Sequence, residues 1–278
     1  DQTPLQIAAV ESVGHDSIAI HFETPAEFEA SPGQFVKLTL ETDAGDESRF
    51  YTISSPDVEG TFEVTVEIDP EGAVGPLLDA LHAGDSVRVA GPFGSSYYEG
   101  EDRVVVLAGG PGVGPAVGIG ERAVADGHEA AVVYRDSEPI HEDRLEALSE
   151  SGAFVRIVAD GQDLTDPVAD ALSALGTDAQ VFVYGFADFL DTATSAIESA
   201  GGEPDEAKVE NFGESPCAAL AAALRPFHVR QDRLAGVAPI GAASAWVTPT
   251  LSVVAAVLAA TIPPLLPGGQ HKRWPLAS

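Results

Sequence analysis

The sequence predicts two folded units of different class, a six-stranded antiparallel β barrel followed by a doubly wound parallel α/β sheet. Residues 1–98 contain short runs of alternating polar and apolar residues between turn residues, the pattern of antiparallel strands. Residues 103–213 contain continuous apolar runs that alternate with helical periodicity, which is typical of parallel strands buried on both faces. The 278 residues are enough for two domains of ordinary size.

The first unit, residues 1–100, is predicted to contain six strands and one helix. Turn residues such as Ser31-Pro32-Gly33 separate the runs. Between the fifth and sixth runs, Ala73–His82 has apolar residues at helical spacing and is predicted to be a short helix. The predicted strands are Gln6–Val13, Asp16–Glu23, Gln34–Glu41, Ser48–Ser54, Thr61–Ile68 and Asp85–Ala90.

The second unit, residues 101–213, is predicted to alternate strands and helices, and the boundary falls near Glu99–Asp102. This alternation favours a doubly wound parallel sheet. The predicted strands are Arg103–Ala108, Ala130–Tyr134, Phe154–Val158 and Gln180–Tyr184, and the predicted helices cover 115–126, 142–150, 165–175 and 187–200.

A third segment, residues 214–278, differs sharply in composition. The chain up to Gly213 has a net charge of −33, and the rest has +3. Ala242–Ile262 is uncharged and about as long as a membrane span, but Pro249 interrupts it. Three interpretations stay open: a membrane anchor, a disordered extension, and a tail altered by a change of reading frame. We favour a non-native or poorly ordered extension over membrane contact.

The charge and the cysteine content limit the class of protein. A net charge of −30 repels phosphate backbones, so we expect no nucleic-acid partner. The acidic residues are spread along the chain and only three residues are lysine, which resembles halophilic proteins; an acidic face that docks a basic partner is the alternative. Cys217 is the only cysteine, so we expect neither a disulfide nor a four-cysteine iron–sulfur cluster within this chain. The N-terminus shows no signal-peptide pattern, and we expect a cytoplasmic location.

One predicted barrel strand carries the motif Arg49-Phe50-Tyr51-Thr52. A guanidinium can hold a pyrophosphate with two parallel hydrogen bonds, and a tyrosine ring can pack on a flat heterocycle. Alternation places Arg49 and Tyr51 on one face of the strand and Phe50 on the other. The Thr52 hydroxyl can reach a ring nitrogen. Taken alone, the motif also suits a solvated edge strand.

The second unit begins with a strand, a glycine-rich turn and a helix, which is the required context for a dinucleotide turn. Glycines let the backbone approach a pyrophosphate, and the helix dipole favours its charge. No acidic residue for the ribose can be placed from the sequence. The candidate nucleotide-binding residues of this turn are Gly109, Gly110, Pro111, Gly112, Val113, Gly114 and Pro115.

The motif order resembles the ferredoxin–NADP reductase superfamily. The matching pattern is PGQF from Pro32, RFYT from Arg49, a glycine-led helix at Gly72, and GPFG from Gly91. The resemblance implies that the RFYT strand binds the flavin of FAD, with FMN as the less favoured flavin. Gly75 stands where many relatives have a phosphate-binding serine, and this departure weakens the case for FAD over FMN. It also implies that the turn at the start of the helix, made of Gly72, Ala73 and Val74, holds the pyrophosphate.

The second unit resembles the same superfamily at three places. The glycine-rich turn is similar to Gly-Gly-Thr-Gly-x-x-Pro, with Pro111 in place of threonine. Tyr184-Gly185-Phe186 stands where the family usually has Cys-Gly-Pro, so Gly185 is expected beside the nicotinamide. The segment from Glu210 to Gly213 resembles the terminal Glu-x-Phe-Gly and places Glu210 and Phe212 near the flavin edge. A buried Phe212 after a last strand is the alternative.

The resemblance implies a function and its candidate catalytic residues, Thr52, Glu210 and Phe212. We expect a flavin-dependent oxidoreductase that passes electrons between NAD(P)H and an external acceptor, such as a ferredoxin, through FAD. An electron-transfer subunit of a larger complex and a flavin-binding protein without nicotinamide turnover are the alternatives. Arg135 or Arg144 is a candidate for a 2′-phosphate, so NADH and NADPH both stay open. The histidines, including His128 and His141, have no metal-ligand spacing and are expected at the surface; we expect no metal site.

Overall fold

The first six strands form one antiparallel sheet in the computed structural model, which describes residues 2–213. Their bounds are β1 (Thr3–Gly14), β2 (Ser17–Glu23), β3 (Phe35–Thr42), β4 (Gly45–Thr52), β5 (Thr61–Glu67) and β6 (Ser86–Phe93). The strand order is β4-β3-β6-β1-β2-β5. All six predicted strands are present, displaced at their ends by at most three residues.

The two edge strands of this sheet meet each other. A bridge joins Ile53, just after β4, to Val64 of β5, and the Ser54 amide donates to the Glu63 carbonyl at 2.9 Å. These contacts close the sheet, so its edges do not stay open to other chains. Alternate residues of the strands, such as Leu38 and Val64, fill the interior and are buried. The predicted β barrel is confirmed.

The barrel helix α1 (Gly75–Asp79) is shorter than the predicted segment Ala73–His82. Gly72 and the two residues after it lie in the turn that precedes the helix. After the helix, the His82 amide donates to Asp85 Oδ2 at 2.8 Å, which turns the chain towards β6. A Cβ at Gly75 would overlap the Asp69 carbonyl, so no serine fits there without a shift of the backbone.

The second sheet consists of five parallel strands in the order β11-β10-β7-β8-β9. Their bounds are β7 (Arg103–Gly109), β8 (Glu129–Arg135), β9 (Phe154–Val158), β10 (Gln180–Gly185) and β11 (Lys208–Asn211). The predicted doubly wound sheet is confirmed, and it has a short fifth strand, β11, next to β10.

Helices cover both faces of the parallel sheet. They are α2 (Val113–Ala125), α3 (Glu142–Glu150), α4 (Thr165–Leu175) and α5 (Ala187–Ser199). Successive side chains of β7 point to opposite faces of the sheet and enter two different cores. Val104 and Val106 pack with α2 and α3. Val105 and Leu107 pack with α4 and α5. Burial on both faces is the reason why this strand is continuously apolar.

The strand order places a crevice at the carboxyl ends of β7 and β10. The chain runs from β7 to β8 and β9 on one side, then returns to β10 on the other side of β7. Ligands of open α/β sheets bind at such a switch point. Gly109 ends β7 and Gly185 ends β10, so both candidate residues lie at this crevice.

Within residues 2–213, no helix combines the length and the apolar character needed to cross a bilayer. The candidate span Ala242–Ile262 and the single cysteine, Cys217, lie outside the described residues.

Candidate functional site

A cavity of about 260 Å³ lies where the barrel meets the parallel sheet. The whole RFYT motif, from Arg49 to Thr52, lines one side of it. The structure therefore brings this motif together with the glycine-rich turn and with the end of the second unit. The remaining lining residues are Thr65, Glu67, Asp69, Pro111, Pro115, Phe186 and Phe212.

Tyr51 and Thr52 form the barrel side of this cavity. Tyr51 packs partly on the barrel core, and burial raises the pKa of its phenol to about 12, so the group stays neutral. Thr52 is buried, and no hydrogen bond within residues 2–213 engages its hydroxyl. A hydroxyl without a protein partner at the wall of a cavity can form a hydrogen bond with a ring nitrogen or carbonyl of a bound heterocycle.

Arg49 lies at the open end of the cavity, with its side chain 45% exposed. Its Nη1 donates to Glu47 Oε2 at 3.1 Å and to the Ser48 carbonyl at 2.8 Å. Its Nε and Nη2 have no partner within the described part of the chain, so they remain available for a phosphate. Phe50 is 62% exposed, and its ring meets Phe35 edge-on at 5.6 Å.

Phe186 and Phe212 form the opposite wall. Their rings are perpendicular, with centroids 6.1 Å apart, and the Phe212 amide donates to the Gly185 carbonyl at 3.0 Å. Phe212 is half-buried, so it is neither a free surface residue nor a core residue. A neighbouring groove of about 670 Å³ is lined by Thr52, Glu210 and Phe212 together, and burial raises the pKa of Glu210.

The turn at Gly72 lies beside the cavity wall. A Cβ at Gly72 would lie 2.9 Å from Asp69 Oδ2, and Asp69 lines the cavity. Val74 packs into the barrel core, and Ala73 lies between the two in the same turn. Burial raises the pKa of Glu67, and the nearby carboxylates raise it further, so this acid is protonated more readily than usual. A protonated Glu67 would reduce the repulsion of a phosphate held by Arg49.

A larger groove, of about 740 Å³, lies at the carboxyl ends of β7, β8 and β10. Gly110 has a φ of +54° and nothing within 4 Å of its Cβ position, so it presents bare backbone in a conformation that suits glycine. Gly109, Gly110 and Pro111 line this groove. Six carboxylate side chains also line it, those of Asp16, Glu67, Asp136, Glu138, Asp160 and Asp188.

Other residues of the glycine-rich turn pack against protein. A Cβ at Gly112 would overlap the Tyr184 carbonyl, and a Cβ at Gly114 would lie 2.6 Å from Thr65 Oγ1. Val113 is buried in the core. The structure thus divides the predicted turn into three parts. Its first residues line the larger groove, and Pro111 and Pro115 line the smaller cavity. The residues between these two prolines pack against protein.

The two candidate arginines lie in different environments. Arg135 lines the larger groove, with its guanidinium carbon 4.9 Å from the Phe189 ring centroid. Arg144 is enclosed between the barrel and α2, so it cannot bind a nucleotide in this groove. The surface position expected for His141 is also wrong, because His141 is 5% exposed and its Nε2 lies 2.8 Å from Thr65 Oγ1.

Asp136 is a groove residue that the sequence analysis missed. It directly follows β8. Its Oδ2 accepts from the Tyr134 hydroxyl and its Oδ1 from the Glu138 amide, both at 2.9 Å. An acidic residue about 20 positions after a dinucleotide turn binds the adenosine ribose in doubly wound sheets. The signal that the sequence offers is an acidic residue directly after the second parallel strand, next to Arg135.

Comparison with known proteins identifies the family. Residues 4–98 match the family model described as oxidoreductase FAD-binding domain. The chain is 30% identical over 244 residues to the ferredoxin reductase component of 3-ketosteroid-9-alpha-monooxygenase from Mycolicibacterium smegmatis, a match that covers 80% of this chain and 69% of the relative. The chain belongs to the ferredoxin reductase family of FAD-binding oxidoreductases.

A second relative and a solved structure are also similar to this chain. The chain is 32% identical over 161 residues to the stachydrine N-demethylase reductase subunit Stc4 of Rhizobium meliloti, a match that covers 54% of this chain but only 45% of the relative. The FAD/NAD-binding domain of nitric oxide dioxygenase from Vibrio cholerae superposes with a TM-score of 0.66 at 16% identity, covering 77% of this chain and 99% of that one. This likeness shows the shared two-part fold.

Proposed function

We propose that the chain is an FAD-dependent NAD(P)H oxidoreductase that passes electrons from the nucleotide to an external acceptor. Residues 1–100 hold the flavin, and residues 101–213 hold the nucleotide. One observation carries the proposal: the 260 Å³ cavity has Tyr51 and Thr52 on one side and Pro111 and Phe186 of the crevice on the other. A ring bound on the barrel strand would therefore face a nucleotide bound at the switch point.

The residues of the chain would bind and orient the flavin in this proposal. Arg49 offers Nε and Nη2 to the phosphates, and Thr52 offers its hydroxyl to the ring. Phe212 covers the ring edge and excludes water, while Glu210 sits in the neighbouring groove with a raised pKa. FAD, when bound, supplies a ring that accepts hydride and releases electrons one at a time, so the protein supplies position and electrostatics.

We further propose that the nucleotide is NADH rather than NADPH. Asp136 is fixed by two hydrogen bonds at the end of β8 and can accept hydrogen bonds from a ribose diol. The Asp160 carboxylate lies near it, because it accepts from the Ser137 amide at 3.1 Å. A 2′-phosphate there would meet like charges, at a cost of about 1–2 kcal/mol after solvent screening. Arg135 provides a single opposing positive charge.

The nucleotide preference is tested by the ratio of kcat/KM for NADH to that for NADPH. We expect a ratio of about 10 or more in the unmodified protein. Asp136→Asn should lower the ratio severalfold, whereas Glu146→Gln, which removes an exposed carboxylate on α3, should leave it unchanged. A higher kcat/KM for NADPH in the unmodified protein would contradict this assignment.

The names of the relatives support an oxygenase system as the acceptor. One is the ferredoxin reductase component of a monooxygenase, and the other is the reductase subunit of an N-demethylase. We propose that this chain reduces a separate ferredoxin or oxygenase. The same names favour one second candidate, an electron-transfer subunit of a permanent complex. That candidate predicts turnover with artificial acceptors but none with free ferredoxins.

An anaerobic titration of the purified protein tests the main proposal. The flavin absorbance should bleach on addition of NADH, and turnover should follow with an artificial acceptor. Extraction and chromatography of the flavin decide between FAD and FMN. If neither NADH nor NADPH bleaches the flavin, the chain is a flavin-binding protein without nicotinamide turnover.

We also propose that the folded state requires high salt, as expected for a halophilic protein. The charge of −33 on residues 1–213 creates self-repulsion that salt screens. Circular dichroism should show loss of structure as KCl is lowered from molar to millimolar concentration. Retention of the full spectrum at millimolar salt would favour the alternative, an acidic face for a basic partner.

A further inference from the structure

A buried polar cluster joins the barrel to the α/β sheet, and the proposed function makes no use of it. We call it the interface network. Its members come from three elements, β5, α2 and α3, from the segment between β4 and β5, and from the residue that precedes α3. They are Ser54, Glu63 and Thr65 from the barrel unit, and Glu121, His141 and Arg144 from the second unit.

Three nitrogen atoms of Arg144, a residue of α3, donate hydrogen bonds that connect the members of this network. Nε and Nη2 form a fork on Glu121 of α2, each at 2.7 Å from one carboxylate oxygen. Nη1 donates to Glu63 Oε1 of the barrel at 2.9 Å, and Nη2 donates to the Ser54 carbonyl at 2.7 Å. Burial alone would lower the pKa of Arg144, but Glu121 and Glu63 raise it, so the guanidinium stays charged. A lysine cannot make this set of contacts, because it lacks the planar fork.

A directed chain of hydrogen bonds leads from the second unit to the same carboxylate. Ser54 Oγ donates to Glu63 Oε1 at 2.7 Å, and Thr65 Oγ1 donates to Ser54 Oγ at 3.0 Å. Each hydroxyl has one proton, so the contact of His141 Nε2 with Thr65 Oγ1 at 2.8 Å requires a proton on Nε2. Burial lowers the pKa of His141 to about 4, which agrees with a neutral ring.

The interface network lies between the two candidate sites. Thr65 lines the 260 Å³ cavity, and Glu121 belongs to α2, the helix that follows the glycine-rich turn. Two glycines of α2 pack directly on the barrel beside the network. A Cβ at Gly114 would lie 2.6 Å from Thr65 Oγ1, and a Cβ at Gly118 would lie 2.6 Å from the Ser54 carbonyl oxygen. The position of the nucleotide turn relative to the cavity is therefore set at these contacts.

We propose that Arg144 is a positioning residue for hydride delivery, because it fixes α2 and its glycine-rich turn against the flavin cavity. The inference rests on the proposed function. Hydride transfer depends steeply on the distance and alignment of the reacting atoms, and a displacement of about 1 Å can cost about 100-fold in rate. Arg144 touches neither nucleotide site, so its loss should slow the transfer without weakening the binding of either ligand.

Two variants and one matched control test this role in the full chain. Arg144→Lys keeps a positive charge and removes the fork. Glu63→Gln keeps the shape and the Arg144–Glu121 pair, and it carries the test if Arg144→Lys fails to fold. The control is Arg122→Lys on α2, because Arg122 pairs with Asp126 at the end of that helix, on the protein surface, and takes no part in the interface network.

Four quantities are measured at fixed high salt: the FAD content, the dissociation constant of NADH, the anaerobic flavin reduction rate at saturating NADH, and hydrogen exchange of the α2 amides without nucleotide. For Arg144→Lys we expect about a tenfold lower reduction rate and faster exchange in the first turns of α2. The FAD content and the NADH dissociation constant should stay within twofold. Glu63→Gln should show the same pattern more weakly, and Arg122→Lys should match the unmodified protein.

The outcomes separate this inference from the function on which it rests. If the unmodified protein is not reduced by NADH or NADPH, the proposed function fails and the inference fails with it. If it is reduced and both folded network variants are reduced equally fast at saturating NADH, only the inference is overturned. A lower melting temperature with unchanged reduction rate and unchanged α2 exchange would also overturn it, since the network would then be a stabilising contact alone.

Discussion

The small cavity on the barrel and the large groove on the α/β sheet differ in volume, wall chemistry and charge. The cavity encloses about 260 Å³ between aromatic side chains, with Arg49 at its edge. The groove encloses about 740 Å³, and its walls carry six carboxylates beside Arg135. Aromatic walls and a bidentate cation suit a cofactor that stays bound, whereas an open acidic groove suits an anionic substrate that must leave after each turnover. The difference between the two sites agrees with the proposal that the cavity holds a prosthetic group and the groove holds a substrate.

Removal of Arg49 should have the largest effect and should separate the two sites. Arg49→Ala loses charge-assisted hydrogen bonding to phosphate that is worth about 1.5–3 kcal/mol in total at this partly exposed site, so FAD should bind about 10- to 150-fold more weakly. Titration of the apoprotein with FAD, followed by flavin fluorescence, measures this change. Arg88→Ala is the control, because Arg88 pairs with Asp46 on the barrel surface. An equal loss of NADH affinity would show that the cavity and the groove are not independent.

A methyl group at Gly114 should disturb the boundary between the two sites. Its Cβ would lie 2.6 Å from Thr65 Oγ1 and 3.2 Å from the Ser54 Cβ. Overpacking of this kind costs about 1–3 kcal/mol, and chemical denaturation at fixed salt should show that loss for Gly114→Ala. For Gly120→Ala on the same helix the nearest atom belongs to the flexible Leu148 side chain at 3.1 Å, and Val132 lies at 3.6 Å, so the loss should be smaller. Equal losses for the two variants would argue against close packing of α2 on the barrel.

The stability of the protein should also depend on pH through His141, which lies where the barrel meets the α/β sheet, and this effect should be smaller. Its pKa is lowered to about 4, so the unfolded state binds a proton below pH 6.5 that the folded state does not. Stability is therefore full above pH 6.5 and falls as the pH decreases towards 4, by about 1–2 kcal/mol at pH 5. The charged or titratable groups around His141 are Arg144, Glu63 and His21. His141→Asn should flatten this part of the profile in denaturation at pH 7 and pH 5, and an unchanged slope would contradict the assignment.

The strands were predictable because their signal is local. The alternation at the start of Ser86–Phe93 and the continuous apolar run in Arg103–Gly109 both follow from which faces are buried, and each residue shows this by its own polarity. The helix α1 was predicted too long, because Gly75 packs on the Asp69 carbonyl and Asp85 caps the chain beyond the helix. Those contacts involve residues outside the helical pattern.

The candidate site was predictable in its motifs and less so in the role of each residue. The structure brings Arg49, Tyr51 and Thr52 to one cavity, together with Phe212. Gly112 and Gly114 carry the same sequence signal as Gly110, yet they make room for Tyr184 and Thr65 rather than for a ligand. A glycine in the sequence indicates a position where another group comes close to the backbone, but it does not indicate whether that group is a ligand or another part of the protein.

By itself, the sequence determined the barrel, the parallel sheet and the order of the cofactor motifs, because periodicity and turn chemistry act over a few neighbouring residues. Only the tertiary structure decided the pairing of Arg144 with Glu63, the burial of His141 and the position of Asp136 in the groove. Arg144 and Glu63 are 81 residues apart in the chain. Which distant charges meet depends on how the two sheets pack, and single residues in a sequence carry no signal for that packing.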